Sequence, residues 1–221
     1  MTEHHKEILK LRERMSFLGY EFLTWCFLLL DRDDAKAHIK VITNNKLFKE
    51  EPHIVLGKRL VTCLPELKEQ KTSVISPILE ASHEAFASIR NGHMIETLSL
   101  TIKFSSLSVA FNLHAQDFAF TQAQLKSDFG KDSLLENEQS LDEKDKNREE
   151  IFLRMAALDD TERVIDAVFQ YFLKLRLNEK AYKYELSLMR DQVDKRLGGY
   201  LAQPRSVENL ARAISPGNDF L

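Results

Sequence analysis

The stretch Thr97-Leu98-Ser99-Leu100-Thr101-Ile102-Lys103-Phe104-Ser105-Ser106-Leu107-Ser108-Val109-Ala110-Phe111-Asn112-Leu113 decides the fold. On both sides of Ser105-Ser106 every second residue is apolar, the period of a strand with one buried and one wet face. A two-residue turn at the serines makes Phe104 and Leu107 partners. It then sets Leu98, Leu100, Ile102 and Phe104 beside Leu113, Phe111, Val109 and Leu107 on one side of the pleat. Thr97, Ser99, Thr101 and Lys103 fall on the wet side. A sheet with one apolar face must be covered, and helices are the usual cover.

Outward from the hairpin, the chain supplies those helices. Ile8, Leu11, Met15, Leu18, Phe22 and Trp25 recur at spacings of three and four, predicting one helix over Thr2 to Leu30 whose second half is apolar nearly all round. Downstream, Ile151, Phe152, Met155, Leu158, Val164, Ile165, Val168, Phe169, Phe172 and Leu175 predict one long helix, or two joined at a capping box Asp159-Asp160-Thr161-Glu162. A further helix runs from about Glu179 to Arg196 and stops at Gly198-Gly199. Between these, Ser76-Pro77 opens a helix that ends at Asn91-Gly92. The segment from Ala37 to Leu64 reads as three short strands, His38 to Ile42, Ile54 to Leu56 and Leu60 to Leu64, with Lys58-Arg59 in a turn. The expected fold is α+β, a mostly antiparallel sheet under long N-terminal and C-terminal helices. Residues 1–127 form the N-terminal helix and the β/α region, 128–148 a polar connector, 149–200 the C-terminal helices on the same core, and 201–221 a tail.

The 221 residues carry 31 Lys+Arg against 34 Asp+Glu, a formal charge of −3, so any nucleic-acid surface is a local patch and not bulk charge. Charge is unevenly placed: acidic residues lead basic ones eleven to five from Asp128 to Asp160, and basic residues lead nine to six from Gln170 onward. The apolar run Met15 to Leu30 holds Glu21 and spans about 16 residues against the roughly 20 that cross a bilayer, so no membrane association is expected. Cys26 and Cys63 cannot build a disulfide framework or a four-ligand zinc site, and both sit in apolar contexts that read as core in a reducing, cytoplasmic compartment.

Motifs for phosphate loops, dinucleotide folds, hydrolase elbows and helical zinc pairs are missing from the chain. His4-His5 point about 100° apart on a helix and do not clamp one ion. Glu66-Leu67-Lys68 has the acid-x-lysine spacing of a nuclease but reads as a solvated loop after Pro65. No catalytic residue, metal or cofactor is expected. The basic residues are more informative: Lys58 and Arg59, with Lys68 and Lys71, gather into a cluster if the neighbouring strands pair.

The run Phe17-Leu18-Gly19-Tyr20-Glu21-Phe22-Leu23-Thr24-Trp25 resembles the F-L-G-x-E-F-L-T-W signature of the RdgC-like family of bacterial recombination-associated proteins. Later features follow in the same order: Ile54 to Val61, Ile89-Arg90-Asn91-Gly92-His93-Met94-Ile95, the hairpin, and Phe172-Leu173-Lys174-Leu175-Arg176-Leu177. The similarity covers about residues 15 to 178 and is to the C-terminal half of that family; its N-terminal half, which supplies about half of a ring, has no counterpart before Met1. The resemblance implies a non-enzymatic protein that binds duplex DNA with little sequence preference, dimerises around it and restrains the RecA recombinase.

Two functions are therefore expected as alternatives. The first is a nucleoid-associated protein contacting DNA phosphates through Lys58, Arg59, Lys68 and Lys71. The second is a truncated relative that keeps the fold as an interaction or oligomerisation module, self-associating through the helix Met15 to Leu30.

Overall fold

Leu98, Leu100 and Ile102 pair with Leu113, Phe111 and Val109, the register that a two-residue turn at the serines requires. All six are buried, and the Phe104 N–H donates to the Leu107 carbonyl at 2.7 Å, closing the hairpin. The computed structural model describes residues 3–43, 51–64, 67–75, 83–104, 107–127 and 143–198. Within them the elements are α1 (Glu3–Leu30), α2 (Ala35–Thr43), β1 (His53–Leu64), β2 (Leu67–Ile75), α3 (His83–Arg90), β3 (Met94–Lys103), β4 (Leu107–His114), β5 (Phe120–Ser127), α4 (Glu143–Leu177) and α5 (Glu179–Arg196). The strands form one antiparallel sheet in the order β2-β1-β3-β4-β5. The protein is an α+β fold.

The helices collect on the face that Leu98, Leu100 and Ile102 present. α1 lies against β3, α4 packs on β4 and reaches α2, and α5 turns back against α4, α1 and α3. Their junction is aromatic: the Phe22 ring meets Phe118, Phe169 and Phe172 at centroid distances of 5.9, 5.1 and 5.6 Å, and Trp25 meets Phe172 at 5.3 Å. From Gly19 to Leu29, α1 is buried entirely by its own chain. The cover that its sequence left open to a partner copy is thus supplied within the monomer.

The polar and small residues of the Phe17–Trp25 signature are each fixed by a contact with another element. Gly19 meets the backbone of Ala115 so closely that a Cβ would stand 1.8 Å from the Ala115 oxygen. Thr24 Oγ1 donates to the Tyr20 carbonyl at 2.8 Å and accepts from the Ile95 N–H at 3.0 Å, fastening α1 to β3. Trp25 Nε1 donates to Glu185 Oε1 at 3.1 Å, and Arg32 donates to the same oxygen at 2.8 Å. Glu21, with its side chain fully buried, accepts from Arg176 Nε and Nη2 at 2.6 and 3.3 Å. Burial pushes the Glu21 carboxyl up to about 7, against the opposing pull of the guanidinium. The signature is a packing motif whose partners lie up to 160 residues away.

Five sequence expectations change. His38 to Ile42 belong to helix α2: Ala35, Ile39, Ile42 and Thr43 are buried while Val41 is 70 % exposed, which strand alternation does not allow because Ile39 and Val41 would share a face. The two short strands at Ile54–Leu56 and Leu60–Leu64 are one strand, β1, and Lys58-Arg59 lie in a bulge and not a turn. β2 and β5 are additional strands at the sheet's two edges. Asp159-Asp160-Thr161-Glu162 is not a capping box: of the two readings of this segment the single long helix holds, and these residues lie in its middle, where Thr161 Oγ1 donates to the Ala157 carbonyl at 2.7 Å. Finally, α4 starts at Glu143, so 143–148 of the expected connector are helical. The Ser76-Pro77 cap, residues 128–142 and the tail fall outside the described residues, while the stop at Gly92 is present with φ 86°.

Candidate nucleic-acid interface

With the helices on one face, strand alternation turns Thr97, Ser99, Thr101 and Lys103 of β3 to the other, and register carries the rule across the sheet. On β4 the outward set is Ser108, Ala110, Asn112 and His114; on β5 it includes Thr121, Gln124 and Lys126. A polar ladder confirms that these side chains share a surface. Ser99 donates to Asn112 Oδ1, Asn112 Nδ2 donates to Gln122 Oε1 at 2.9 Å, and His114 bridges Thr97 at 3.0 Å and Thr121 at 2.8 Å.

The charges on this open face have one dominant sign. Strands β1, β3, β4 and β5 contain Lys58, Arg59, Lys103 and Lys126 but a single carboxylate, Glu96. Glu96 is already engaged, accepting from Lys71 Nζ at 2.7 Å and from Gln116 at 3.3 Å. Lys58, Arg59, Lys103 and Lys126 are all exposed and enter no ion pair among the described residues. His53, Lys103, Ser108 and Lys126 stand on one rung of four strands. At about 4.8 Å per strand that rung spans roughly 14 Å, and the Lys103 and Lys126 Cα atoms are about 10 Å apart.

The bulge explains the exposure of Lys58 and Arg59. Leu56 pairs with Leu100 and Leu60 with Leu98, so Gly57, Lys58 and Arg59 stand opposite Ser99 alone. The extra residues arch off the ladder and leave both cations exposed, with Arg59 in register with the exposed Ile75. Gly57 permits it: a Cβ there would lie 2.5 Å from that of Ser99. Of the four residues expected from the sequence, Lys58 and Arg59 are adjacent on β1. Lys71 is on β2 opposite Cys63, four residues along the strand from Ile75, the partner of Arg59, and so about 13 Å away. Lys68 is also on β2, at a position where only the backbone is described. Glu66 of the acid-x-lysine spacing lies outside the described residues. Lys103 and Lys126 were missed, although the wet-face reading of the hairpin already held Lys103.

Both cysteines are buried. Desolvation raises the Cys26 thiol to about 12 and Cys63 to about 11, leaving both protonated and unreactive at neutral pH. A hollow of about 500 Å³ adjoins the basic rung, lined by Lys36, Ile39, Pro52, His53, Val55 and Lys103 among others. No helix among the described residues is long and apolar enough to cross a membrane.

An antiparallel sheet with helices on one side and a wet, cationic surface on the other defines the class of protein, an open-faced α+β domain. Family models, curated proteins and solved structures contain no significant match to the chain.

Proposed function

We propose that this protein binds duplex DNA without sequence preference and without catalysis, laying the phosphate backbone across the open face of its sheet. The observation that carries the reading is the charge of that side of the sheet: four exposed cations on three strands, β1, β3 and β5, with Glu96, the one carboxylate on those strands, neutralised by Lys71. Lysine and arginine reach phosphate oxygens readily, and nothing on this face has the geometry of base readout, for which a helix or two-stranded ribbon would have to enter a groove. Because the chain as a whole is negative, attraction is local and depends on the cations being on one side. The resemblance of Phe17–Trp25 to the RdgC-like signature supports the same reading and links it to recombination.

Neutralising about four phosphates gives a log–log salt slope of roughly −3.6 on duplex DNA. Fluorescence anisotropy on two unrelated duplexes of equal length, titrated at low and moderate salt, is the test. Equal affinities and a slope near that value are expected. Absence of binding at low salt, or strong preference for one duplex, refutes the proposal.

A further inference from the structure

Helix α4 is 35 residues long, about 52 Å, and its first described side chains stand clear of the core. Ile151, Phe152, Met155 and Leu158 are 56, 69, 61 and 44 % exposed, a contiguous apolar stripe of the kind that marks an interaction surface. Along the same line of the helix Met155 is followed by Asp159, Glu162 and Asp166, at spacings of four, three and four. One helical line therefore reads apolar for two turns and acidic for the next two.

The acidic part borders a groove. Asp159, Glu162 and Asp166 line a hollow of about 370 Å³ whose floor includes Phe118, Phe120 and Phe169. Arg163 also borders it, but its guanidinium is held by Asp159 at 2.7 Å on its own helix. Glu162 and Asp166 enter no ion pair among the described residues. The Phe118 and Phe169 rings meet at 4.8 Å, presenting aromatic surface beside the carboxylates. A lysine or arginine entering here gains charge-assisted hydrogen bonds from the carboxylates and attraction to the ring faces.

The two parts together specify one kind of occupant. We propose that this line of α4 docks a segment of a partner protein that carries apolar anchors and, about 10 Å further along, lysine or arginine. DNA is repelled by the same carboxylates, and a second copy using this face brings more of them.

The test uses two labelled synthetic helical peptides and the full chain. One peptide presents leucines on one face for two turns and arginines on that face for the next two; in the other, glutamates replace the arginines. The arginine peptide is expected to bind at least about tenfold more tightly. Glu162→Gln with Asp166→Asn should weaken it about tenfold and remove its salt dependence; Met155→Asp should weaken it similarly and leave the salt dependence in place. All three replaced side chains are exposed, so urea midpoints should stay at the wild-type value. Equal affinity for both peptides, or indifference to the substitutions, overturns the proposal. So does sedimentation equilibrium showing a dimer that Met155→Asp converts to monomer, which would make the occupant a second copy.

Discussion

Gly19→Ala should destabilise this protein severely, although alanine is the better helix former by about 1 kcal/mol in an exposed helix. Gly19 sits inside α1 where the helix touches the backbone at the end of β4, and its new Cβ would stand 1.8 Å from the Ala115 oxygen and 2.8 Å from the carbonyl carbon. Relief to ordinary contact requires α1 to retreat by about 1.5 Å, and a gap of even 0.5 to 1 Å forfeits a quarter to a half of each dispersion contact it opens. The same retreat breaks the 3.0 Å bond from the Ile95 N–H to Thr24, leaving a buried donor unpaired at a cost of about 1–3 kcal/mol. Overpacking adds about 1–3 kcal/mol. After the propensity gain is subtracted, the net loss is about 3 kcal/mol, or roughly 6–12 °C in Tm for a chain of this size. Urea denaturation followed by the fluorescence of Trp25, the chain's one tryptophan, measures it directly. An unchanged or raised midpoint would refute the close approach of α1 to Ala115 and the account of why glycine stands there.

Three further outcomes are expected. Thr24→Val, which keeps the shape and deletes the acceptor of the Ile95 N–H, should cost about 1–3 kcal/mol in chemical denaturation, and a cost under half a kcal/mol would count against that contact. Phe111→Ala deletes a ring that is 3 % exposed and packs edge-on against Phe120 at 4.8 Å, for about 3–5 kcal/mol, whereas Thr101→Ala on the open face should cost under about 0.5 kcal/mol; the reverse ranking would mean the sheet is assigned inside out. Because the folded Glu21 carboxyl titrates near 7 and the unfolded one near 4.5, the folded state binds the extra proton between those values, so stability should fall as pH rises from about 4.5 to 7. The fall is at most about 3 kcal/mol, and urea midpoints across that window should show it in the wild type and lose it in Glu21→Gln; identical profiles for the two proteins would contradict the burial argument.

What the sequence made legible, and what it did not, follows from how each element is stabilised. The hairpin was readable down to its register because burial on one face and exposure on the other imposes period two. α5 was readable from its stop at Gly198; its start is fixed by Asn178, whose side chain accepts from the Ala181 N–H at 3.1 Å. α2 was misread since His38-Ile39-Lys40-Val41-Ile42 has strand-like composition, and only tertiary packing of Ile39 and Ile42 selects the helical phase. β2 and β5 escaped because edge strands carry few apolar residues: on β5 only Phe120 and Leu125 point inward, and the shift at Gln122, with φ 54°, breaks their alternation. The interface suffered from the same gap. Lys58 and Arg59 were visible as a pair, but joining them to Lys103 and Lys126 requires knowing that β5 exists and that β1 runs unbroken through its bulge.

The central claim is that the open sheet face, and no other basic surface, holds DNA. Anisotropy on a labelled duplex at low salt, comparing Lys103→Glu with Lys126→Glu against a control pair, Lys174→Glu with Lys180→Glu on the helical side, tests it most directly. All four lysines are exposed, so the fold is not at stake, and both variants change the net charge equally. The first variant should lose nearly all affinity and the control less than about threefold. Equal losses in the two variants, or full retention by the sheet variant, would contradict it.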